Sequence, residues 1–245
     1  MIETRLNTEL TAIASAGLTR RRRVLESPCG RIAAVDGKNL LNFASNDYLG
    51  LAGNPEIAQA MADGAMQWGA GSGASHLVSG HLAPHEALEK EIAAFTSFPR
   101  ALTFSTGYLA NLAVTPTLAG RGDAVFADKL NHASLIDAMQ LAKANGAEVQ
   151  RYPHNDVAAL ERQLAASNAA RKVIVTDAVF SMDGDLAPLP LIFELAERHD
   201  AWLVIDDAHG FGVLGRHGEG SLAHFNLPAS PRILLMGTLG KAAGV

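Results

Sequence analysis

Polar side chains with chemical potential follow two buried apolar runs in the second half of the chain. The run 203–205 leads into Asp206-Asp207-Ala208-His209-Gly210, and the run 233–236 leads into Gly237-Thr238-Leu239-Gly240-Lys241. A carboxylate that emerges from a buried strand needs a cationic or hydrogen-bonding partner, because burying it unpaired is costly. A protonated ring nitrogen or a metal would serve for Asp206, and His209 could join either arrangement.

Lys241 is a candidate for amine chemistry. A lysine held at the end of a strand can have a lowered pKa, which favours Schiff-base formation. Nearby glycines would let a planar ligand approach closely. The ordinary alternative is a surface lysine that simply follows a strand.

Two more segments could bind parts of a ligand. Ser105-Thr106-Gly107-Tyr108 lies between a predicted strand and a predicted helix, and a helix N-terminus suits a phosphate. The alternative is that Ser105 or Thr106 only caps the helix. His132, in the loop after the run 124–127, could stack on a flat ligand or could simply be a solvated or capping residue. The turn 177–185 carries Ser181 among acids and by itself indicates only a loop.

The elements that must position these residues alternate between strands and helices. Strands are predicted over 101–104, 124–127, 148–152, 172–176, 202–206 and 233–236, and helices over 84–97, 108–118, 134–145, 157–166 and 189–199. This alternation predicts an α/β fold with a mostly parallel sheet and helices on both faces. Such sheets bind ligands beyond the carboxyl ends of their strands, where the candidate residues lie.

The first part of the chain has a different pattern. A helix from about Leu6 to near Pro28 precedes a hairpin of 31–35 and 40–43, joined by Asp36-Gly37, and a helix follows over 55–68. We divide the chain into 1–45, a helix and a short hairpin, and 46–245, the ligand-binding domain. The last buried strand has no helix after it, so we expect this chain to be the front part of a longer protein.

Composition excludes several classes of protein. The 245 residues are 48% hydrophobic and 18% charged with a net charge of −5, which fits a folded domain and argues against disorder and nucleic-acid binding. Cys29 is the only cysteine, so an intrachain disulfide is impossible. No apolar run reaches the roughly 20 residues that a membrane span needs. Glu3 and Glu9 argue against a signal or transit peptide, so we expect a cytoplasmic protein.

Common binding motifs are absent. Gly69-x-Gly71-x-x-Ala74 follows a helix rather than a strand, and Lys241 is followed by Ala242, which excludes a P-loop. No serine has glycines two residues away on both sides, so the nucleophile elbow of a hydrolase is absent. His81 and His85 have helical metal-ligand spacing, but Pro84 lies between them, and we predict no metal.

Taken together, the helix N-terminus at Gly107, His132, Asp206, His209 and Lys241 supply what pyridoxal 5′-phosphate (PLP) needs. The phosphate binds a helix N-terminus, a flat residue covers the ring, a carboxylate keeps the ring nitrogen protonated, and a lysine condenses with the aldehyde.

From Arg20 onward the chain resembles the α-oxoamine synthases, a family of fold-type I PLP enzymes. The segments that carry the resemblance are Asn46-Asp47-Tyr48-Leu49-Gly50-Leu51, His132-Ala133-Ser134-Leu135, His154-Asn155-Asp156, Phe180-Ser181-Met182-Asp183-Gly184-Asp185, Asp206-Asp207-Ala208-His209-Gly210 and Thr238-Leu239-Gly240-Lys241. The resemblance implies the large domain of a homodimeric acyltransferase whose C-terminal small domain is missing. It also implies a decarboxylative condensation of L-alanine with pimeloyl-CoA or a pimeloyl-carrier protein, a step of biotin biosynthesis.

The resemblance implies a role for each site residue. Lys241 would hold the cofactor and remove the Cα proton of alanine, Asp206 would pair with the ring nitrogen, and His132 would stack on the ring and meet the substrate. The others would bind at the periphery: Ser181 and His209 at the phenolic oxygen, Gly107, Tyr108 and Thr238 at the phosphate, and Arg20, within the run Arg20–Arg23, at the acyl-thioester entrance.

Three alternatives remain open at this point. A sibling enzyme would join glycine to acetyl-CoA or succinyl-CoA. A fragment would bind the cofactor without doing chemistry. A metal-dependent hydrolase would use Asp206, Asp207 and His209 as ligands.

Overall fold

The computed structural model describes residues 2–245, which divide into two compact units, one ending at Ser45 and one beginning at Asn46. The first unit opens with helix α1, Ile2–Ser15, whose residues are all exposed. The predicted continuation of this helix toward Pro28 is wrong. Gly17 adopts a φ of 69°, and the Leu18 N–H bonds the Ile13 carbonyl, so the chain leaves the helix through a left-handed glycine.

The hairpin of the first unit is confirmed. Strands β1, Ile32–Val35, and β2, Lys38–Leu41, pair antiparallel. Asp36 and Gly37 both have positive φ, 51° and 70°, as the two-residue turn that matches the twist of a hairpin requires.

The second unit starts with two helices. Helix α2, Pro55–Trp68, has the predicted bounds, because the Asn54 side chain accepts the Glu56 N–H and Pro55 occupies the first turn. A π-helical turn, His76–Gly80, leads into α3, Ala83–Phe95. Within residues 2–245, no helix is both long enough and apolar enough to cross a membrane.

The rest of the second unit is a parallel sheet with helices between its strands. Its strands are β3 Ala124–Asp128, β4 Glu148–Tyr152, β5 Lys172–Asp177, β6 Ala201–Asp206 and β7 Ile233–Met236, and its helices are α4 Gly107–Leu118, α5 Ala133–Ala144, α6 Val157–Ala166, α7 Leu189–Arg198 and α8 Ser221–His224. The strand order is β4-β3-β5-β6-β7, with every neighbouring pair parallel. The predicted α/β class is confirmed.

The sheet has a hydrophobic core on each face. Phe126, Ile174 and Leu203 pack with α6 and α7 on one face. Val125 and Val173, from alternate positions of the same strands, pack with α5 on the other face. Successive side chains of a strand point to opposite faces, so strands buried on both sides read as continuous apolar runs.

The predicted strand over 101–104 is wrong. This segment is irregular, and both the backbone N–H and the hydroxyl of Thr103 donate to Oε1 of Glu89, at 2.7 and 2.8 Å. The Thr103 N–H is therefore bonded to a side chain rather than to a neighbouring strand. Helix α4 still begins at Gly107, so the predicted helix N-terminus is present although no strand precedes it.

Candidate active site

The three central strands each end on a buried aspartate. Asp128 closes β3, Asp177 closes β5 and Asp206 closes β6, and Asp177 and Asp206 are partners in the parallel register. Because β3 lies between β4 and β5, the connections after β3 and β5 diverge, and such a switch point opens a crevice at the carboxyl ends of the strands.

Asp206 is held by neutral donors. The Asn111 side chain on α4 donates through Nδ2 to Oδ2 at 2.7 Å, and the Ala208 N–H donates to Oδ1 at 3.0 Å. Asn111 also donates to the Ser134 hydroxyl at 2.9 Å. Asp206 makes no ion pair with any residue from 2 to 245. A buried carboxylate with this environment suits a cationic ligand.

Lys241 lies at the end of a chain of three polar groups. Its Nζ is 2.9 Å from Nε2 of His209, and Nδ1 of His209 is 2.6 Å from the hydroxyl oxygen of Tyr48. Burial lowers the pKa of Lys241, although Asp206 and Asp177 oppose this effect. Burial, followed by the charge of Lys241, also lowers the pKa of His209. The site therefore favours a neutral imidazole beside an amine that deprotonates more readily than a free lysine.

His132 and Asp177 border the same crevice. The backbone N–H of His132 donates to Oδ2 of Asp177 at 2.8 Å, and Nδ1 of His132 accepts the Ser134 N–H as the N-cap of α5. The capping interpretation of His132 is therefore correct, although its ring remains exposed. Burial and the charge of Asp206 raise the pKa of Asp177 to about 7.

The first turn of α4 lies against the end of β7. A Cβ at Gly107 would be 3.3 Å from Sδ of Met236, the residue before Gly237-Thr238. Thr106 caps the helix by accepting the Leu109 N–H at 3.1 Å. The first N–H groups of a helix have no partner inside the helix, so those of Gly107 and Tyr108 can bind an anion. The side chain of Tyr108 donates its hydroxyl to Asp137 on α5.

The turn that carries Ser181 is fixed by His154. Nδ1 of His154 is 3.0 Å from Oδ1 of Asp128, and its Nε2 is 2.7 Å from Oδ2 of Asp185. Asn155 also donates to Asp185, at 2.9 Å. The His-Asn-Asp segment therefore joins the end of β3 to the turn, while Ser181 itself is exposed and has no hydrogen bond to His209 or Lys241 in the described chain.

Asp207 has a structural role. Its carboxylate accepts the N–H and the hydroxyl of Ser221 at the start of α8, and a Cβ at Gly210 would lie 2.1 Å from its Oδ1. Burial raises its pKa to about 6. Because Asp207 is enclosed by these groups, it does not share a ligand with Asp206, which argues against a hydrolase site built from both carboxylates.

Three histidines come together outside this site. Ligand atoms of His76, His81 and His85 lie within 4.8 Å of one another, as do those of a second set that joins His81 to two glutamates. Nδ1 of His76 is 2.8 Å from Nδ1 of His81, and Nδ1 of His85 accepts the Leu82 N–H at 2.9 Å, which caps α3. These hydrogen bonds connect the π-helical turn to the start of α3, which gives the three histidines a structural role.

Only some of the predicted site residues lie together in the structure. His132, Asp206, His209 and Lys241 gather at the carboxyl ends of the strands. Gly107 lies against Met236, two residues before Thr238. Arg20 lies exposed in the first unit, after α1, and its role stays a prediction. Three further residues belong to the site and were not predicted from the sequence. These are Tyr48, Asn111 and Asp177.

The sequence contexts of Asn111 and Asp177 do indicate that these residues have buried partners. Asn111 is a polar residue in an otherwise apolar helical stretch, 109–114, which is unusual unless its amide has a buried partner. Asp177 follows a buried apolar run just as Asp206 does. Nothing in the local pattern indicates that Tyr48 contacts a residue more than 150 positions away.

The residues present fit PLP. Asp206 is a buried carboxylate without an ion-pair partner in the described chain, and Lys241 is an amine with a lowered pKa. The start of α4 offers N–H groups that have no partner inside the helix. These groups match the ring nitrogen, the aldehyde and the phosphate of the cofactor, respectively.

Comparison with known proteins defines the class. Residues 38–245 match the model of the family described as aminotransferase class I and II, which is most of the chain. The chain therefore belongs to the aminotransferase class I and II family.

Two similar curated proteins carry the same name. The chain is 89% identical over 245 residues to 8-amino-7-oxononanoate synthase of Dechloromonas aromatica, and 63% identical over 247 residues to that of Herminiimonas arsenicoxydans. Each match covers 100% of this chain and 63% of the relative, so the chain spans less than two thirds of their length.

Solved structures of similar proteins share this fold. A serine palmitoyltransferase from S. paucimobilis with bound PLP-myriocin aldimine has a TM-score of 0.88 and 30% identity, covering 98% of this chain and 60% of that one. An 8-amino-7-oxononanoate synthase from Francisella tularensis has a TM-score of 0.69 and 32% identity, covering 83% of this chain and 55% of that one.

Proposed function

We propose that this chain is the PLP-binding part of an 8-amino-7-oxononanoate synthase, which joins L-alanine to a pimeloyl thioester and releases CO2 and the free thiol. The observation that carries the proposal is Lys241, whose Nζ lies 2.9 Å from His209 at the sheet edge that also holds Asp206. The 89% identity to an enzyme of that name supports the choice of reaction.

PLP, when bound, supplies an electron sink that weakens the bonds to the α-carbon of an amino acid. Asp206 would hold a protonated ring nitrogen, because an ionised carboxylate in a buried site favours a cationic partner. Asn111 orients that carboxylate through its 2.7 Å hydrogen bond. The residues therefore fit a cofactor whose ring lies at the end of β6.

Lys241 would accept and return the substrate proton at Nζ. Its lowered pKa makes the neutral amine more accessible near neutral pH than in an exposed lysine. His209 keeps the amine at the sheet edge through the contact between Nε2 and Nζ. A proton acceptor that is held in one position favours proton transfer, because less entropy is lost in reaching the reactive geometry.

The phosphate end of the site would use backbone and hydroxyl donors. The free N–H groups of Gly107 and Tyr108 carry the positive end of the α4 dipole. The first turn of α4 lies against Met236, two residues before Thr238, whose hydroxyl could add a further donor. These neutral donors can hold a dianionic phosphate without an arginine. The phosphate then fixes the cofactor at the end opposite to its ring nitrogen.

Substrates would meet the exposed side of the crevice. His132 borders this side with an exposed ring, and Ser181 lies on the exposed turn held by His154. We assign His132 to ring stacking and substrate contact, and Ser181 with His209 to the phenolic oxygen of the cofactor. We assign Arg20 to the acyl thioester because guanidinium groups suit anionic carriers.

The proposal is tested by titrating PLP into purified chain and recording absorbance, with Lys241→Ala, Asp206→Asn and the control Asp207→Asn. Covalent attachment to a lysine shifts the absorbance band of PLP relative to that of free PLP. We expect this shifted band to be lost in Lys241→Ala, weakened in Asp206→Asn and retained in Asp207→Asn. Equal weakening in the two asparagine variants would contradict the assignment of Asp206.

The reaction is tested by mass spectrometry of products after mixing the PLP-loaded chain with L-alanine and pimeloyl-CoA. Parallel samples contain glycine with acetyl-CoA or succinyl-CoA. We expect 8-amino-7-oxononanoate alone. A preference for the glycine product would establish the sibling reaction, and cofactor binding without any product would establish a binding fragment.

We further propose a homodimer that works in the cytoplasm. Large apolar side chains in the second unit are strongly exposed, including Leu77 at 99% and Met66 at 89%, which supports an interface. The single exposed Cys29 is compatible with a reducing compartment. Light scattering after size-exclusion chromatography tests the dimer, and a monomer mass at 50 μM protein would contradict it.

A further inference from the structure

Tyr48 closes a chain of contacts that ends on the reactive amine. Its hydroxyl oxygen is 2.6 Å from Nδ1 of His209, and Nε2 of the same ring is 2.9 Å from Nζ of Lys241. Both ring nitrogens are therefore engaged. A neutral imidazole carries one proton, so one of its nitrogens donates and the other accepts.

We propose that, before the cofactor binds, Tyr48 is a positioning residue that keeps His209 hydrogen-bonded to Lys241 in both charge states of the lysine. An ammonium group has three donors and no acceptor, so charged Lys241 donates to Nε2. The ring proton then lies on Nδ1 and is donated to the oxygen of Tyr48.

Neutral Lys241 favours the opposite arrangement, because a neutral amine nitrogen accepts a hydrogen bond more readily than its N–H groups donate one. Its lone pair accepts a proton from Nε2–H, so Nδ1 carries no proton and accepts the Tyr48 O–H. A hydroxyl group can donate or accept, and therefore satisfies His209 in both tautomers. A phenylalanine at position 48 could do neither.

The surroundings keep each member in the required ionisation state. Burial raises the pKa of Tyr48, so the phenol stays protonated. Burial and the charge of Lys241 lower the pKa of His209, against the opposing charge of Asp206. Asp206 and Asp177 face the lysine and favour its charged form, and His132 adds a further weak influence on His209.

This inference deepens the proposed function, because it rests on Lys241 as the reactive amine. An amine must lose its proton before it can act as a nucleophile, so Lys241 of the cofactor-free chain has to pass between both charge states. Without Tyr48, Nδ1–H of His209 would lose the hydrogen-bond partner that it has among the described residues. The ring would then favour the Nε2–H tautomer, which points a donor at the ammonium. The charged lysine would then lose a hydrogen bond, and its pKa would fall further.

The test is nitrogen-15 NMR of the His209 ring in the chain without added cofactor, between pH 6 and 10. We compare the wild type with Tyr48→Phe, Lys241→Met and the control Tyr152→Phe, a buried tyrosine at the end of β4. We expect the wild type and Tyr152→Phe to change from Nδ1–H to Nε2–H as Lys241 deprotonates. Tyr48→Phe and Lys241→Met should show Nε2–H at every pH.

A second measurement reports on the lysine. Competitive acetylation at pH 8, followed by peptide mapping, gives the reactivity of Lys241 relative to other lysines. We expect an increase of about three- to tenfold in Tyr48→Phe, as a lower pKa implies, and no change in Tyr152→Phe.

Unchanged His209 tautomers and unchanged Lys241 acetylation in a folded Tyr48→Phe chain would overturn the inference. Neither readout needs PLP or substrates. A tautomer change without PLP binding would therefore refute the proposed function and keep this inference, while PLP binding to Lys241 without a tautomer change would do the reverse.

Discussion

Asn111 donates its side-chain N–H to Oδ2 of Asp206 at 2.7 Å, deep between helix α4 and strand β6. The amide thereby compensates part of the cost of burying a carboxylate that forms no ion pair with any described residue. Asn111 and Asp206 are 95 positions apart in the chain, and the parallel sheet with its crossover helices brings them together.

Asn111→Ala should destabilise the chain and weaken PLP binding. Removing the donor leaves a buried carboxylate short of a partner, which costs about 1–3 kcal/mol. We expect a free energy of unfolding in urea lower by that amount and PLP affinity lower by roughly tenfold.

Thr115→Val is the matched control on the same helix. Thr115 is fully buried and its hydroxyl oxygen has no hydrogen-bond partner in the described chain, so an isosteric valine should be neutral or slightly stabilising. If both substitutions lower PLP affinity equally, Asn111 does not act through Asp206.

Stability should fall with rising pH through His154. Burial lowers the pKa of His154, but hydrogen bonds to Asp128 and Asp185 together outweigh it and raise the pKa above 6.5. The stabilisation is therefore complete below pH 6.5 and is lost as pH rises through the folded-state pKa. We expect the urea midpoint to decrease between pH 6 and 8.5.

His154→Asn should make that decrease smaller. Asp177, whose pKa is raised to about 7, contributes a dependence of the same sign, but it is present in both proteins. The difference between the two pH profiles therefore isolates the histidine. Identical slopes would show that the His154 bonds to Asp128 and Asp185 do not depend on its charge.

Gly210→Ala should be strongly destabilising. A Cβ there would lie 2.1 Å from Oδ1 of Asp207 and 2.5 Å from the Ser221 hydroxyl oxygen, so the buried turn before α8 would have to shift. We expect a loss of roughly 2–4 kcal/mol in the free energy of unfolding.

Gly64→Ala should have the opposite effect on the free energy of unfolding. Gly64 lies inside α2 with nothing within 4 Å of an added Cβ, so alanine should stabilise by about 0.5–1 kcal/mol. Thermal denaturation of both variants tests the pair. A mild effect of Gly210→Ala would mean that the turn around Asp207 is not tightly packed.

Local patterns predicted much of the fold. The strands at 148–152 and 233–236 and the helices at 55–68 and 157–166 have the predicted bounds, because apolar runs, capping residues and proline act over a few positions. The apolar pattern after Gly17 failed as a helix because a left-handed glycine ended it. The run 101–104 failed as a strand because its backbone bonds a distant glutamate.

The site residues that could be predicted from the sequence are those that directly follow strands. Asp206, His209 and Lys241 could be found because a parallel sheet aligns the carboxyl ends of its strands. The contacts of Tyr48 with His209 and of His154 with Asp185 could not, because they depend on how loops fold back onto the sheet edge.

The central claim is that Lys241 is the amine that condenses with PLP. Borohydride reduction of the PLP-treated chain fixes the cofactor to the amine it has reached, and peptide mapping by mass spectrometry identifies that amine. We predict the pyridoxyl label on Lys241 alone. A label on another lysine, or none on a chain that circular dichroism shows to be folded, would contradict the account.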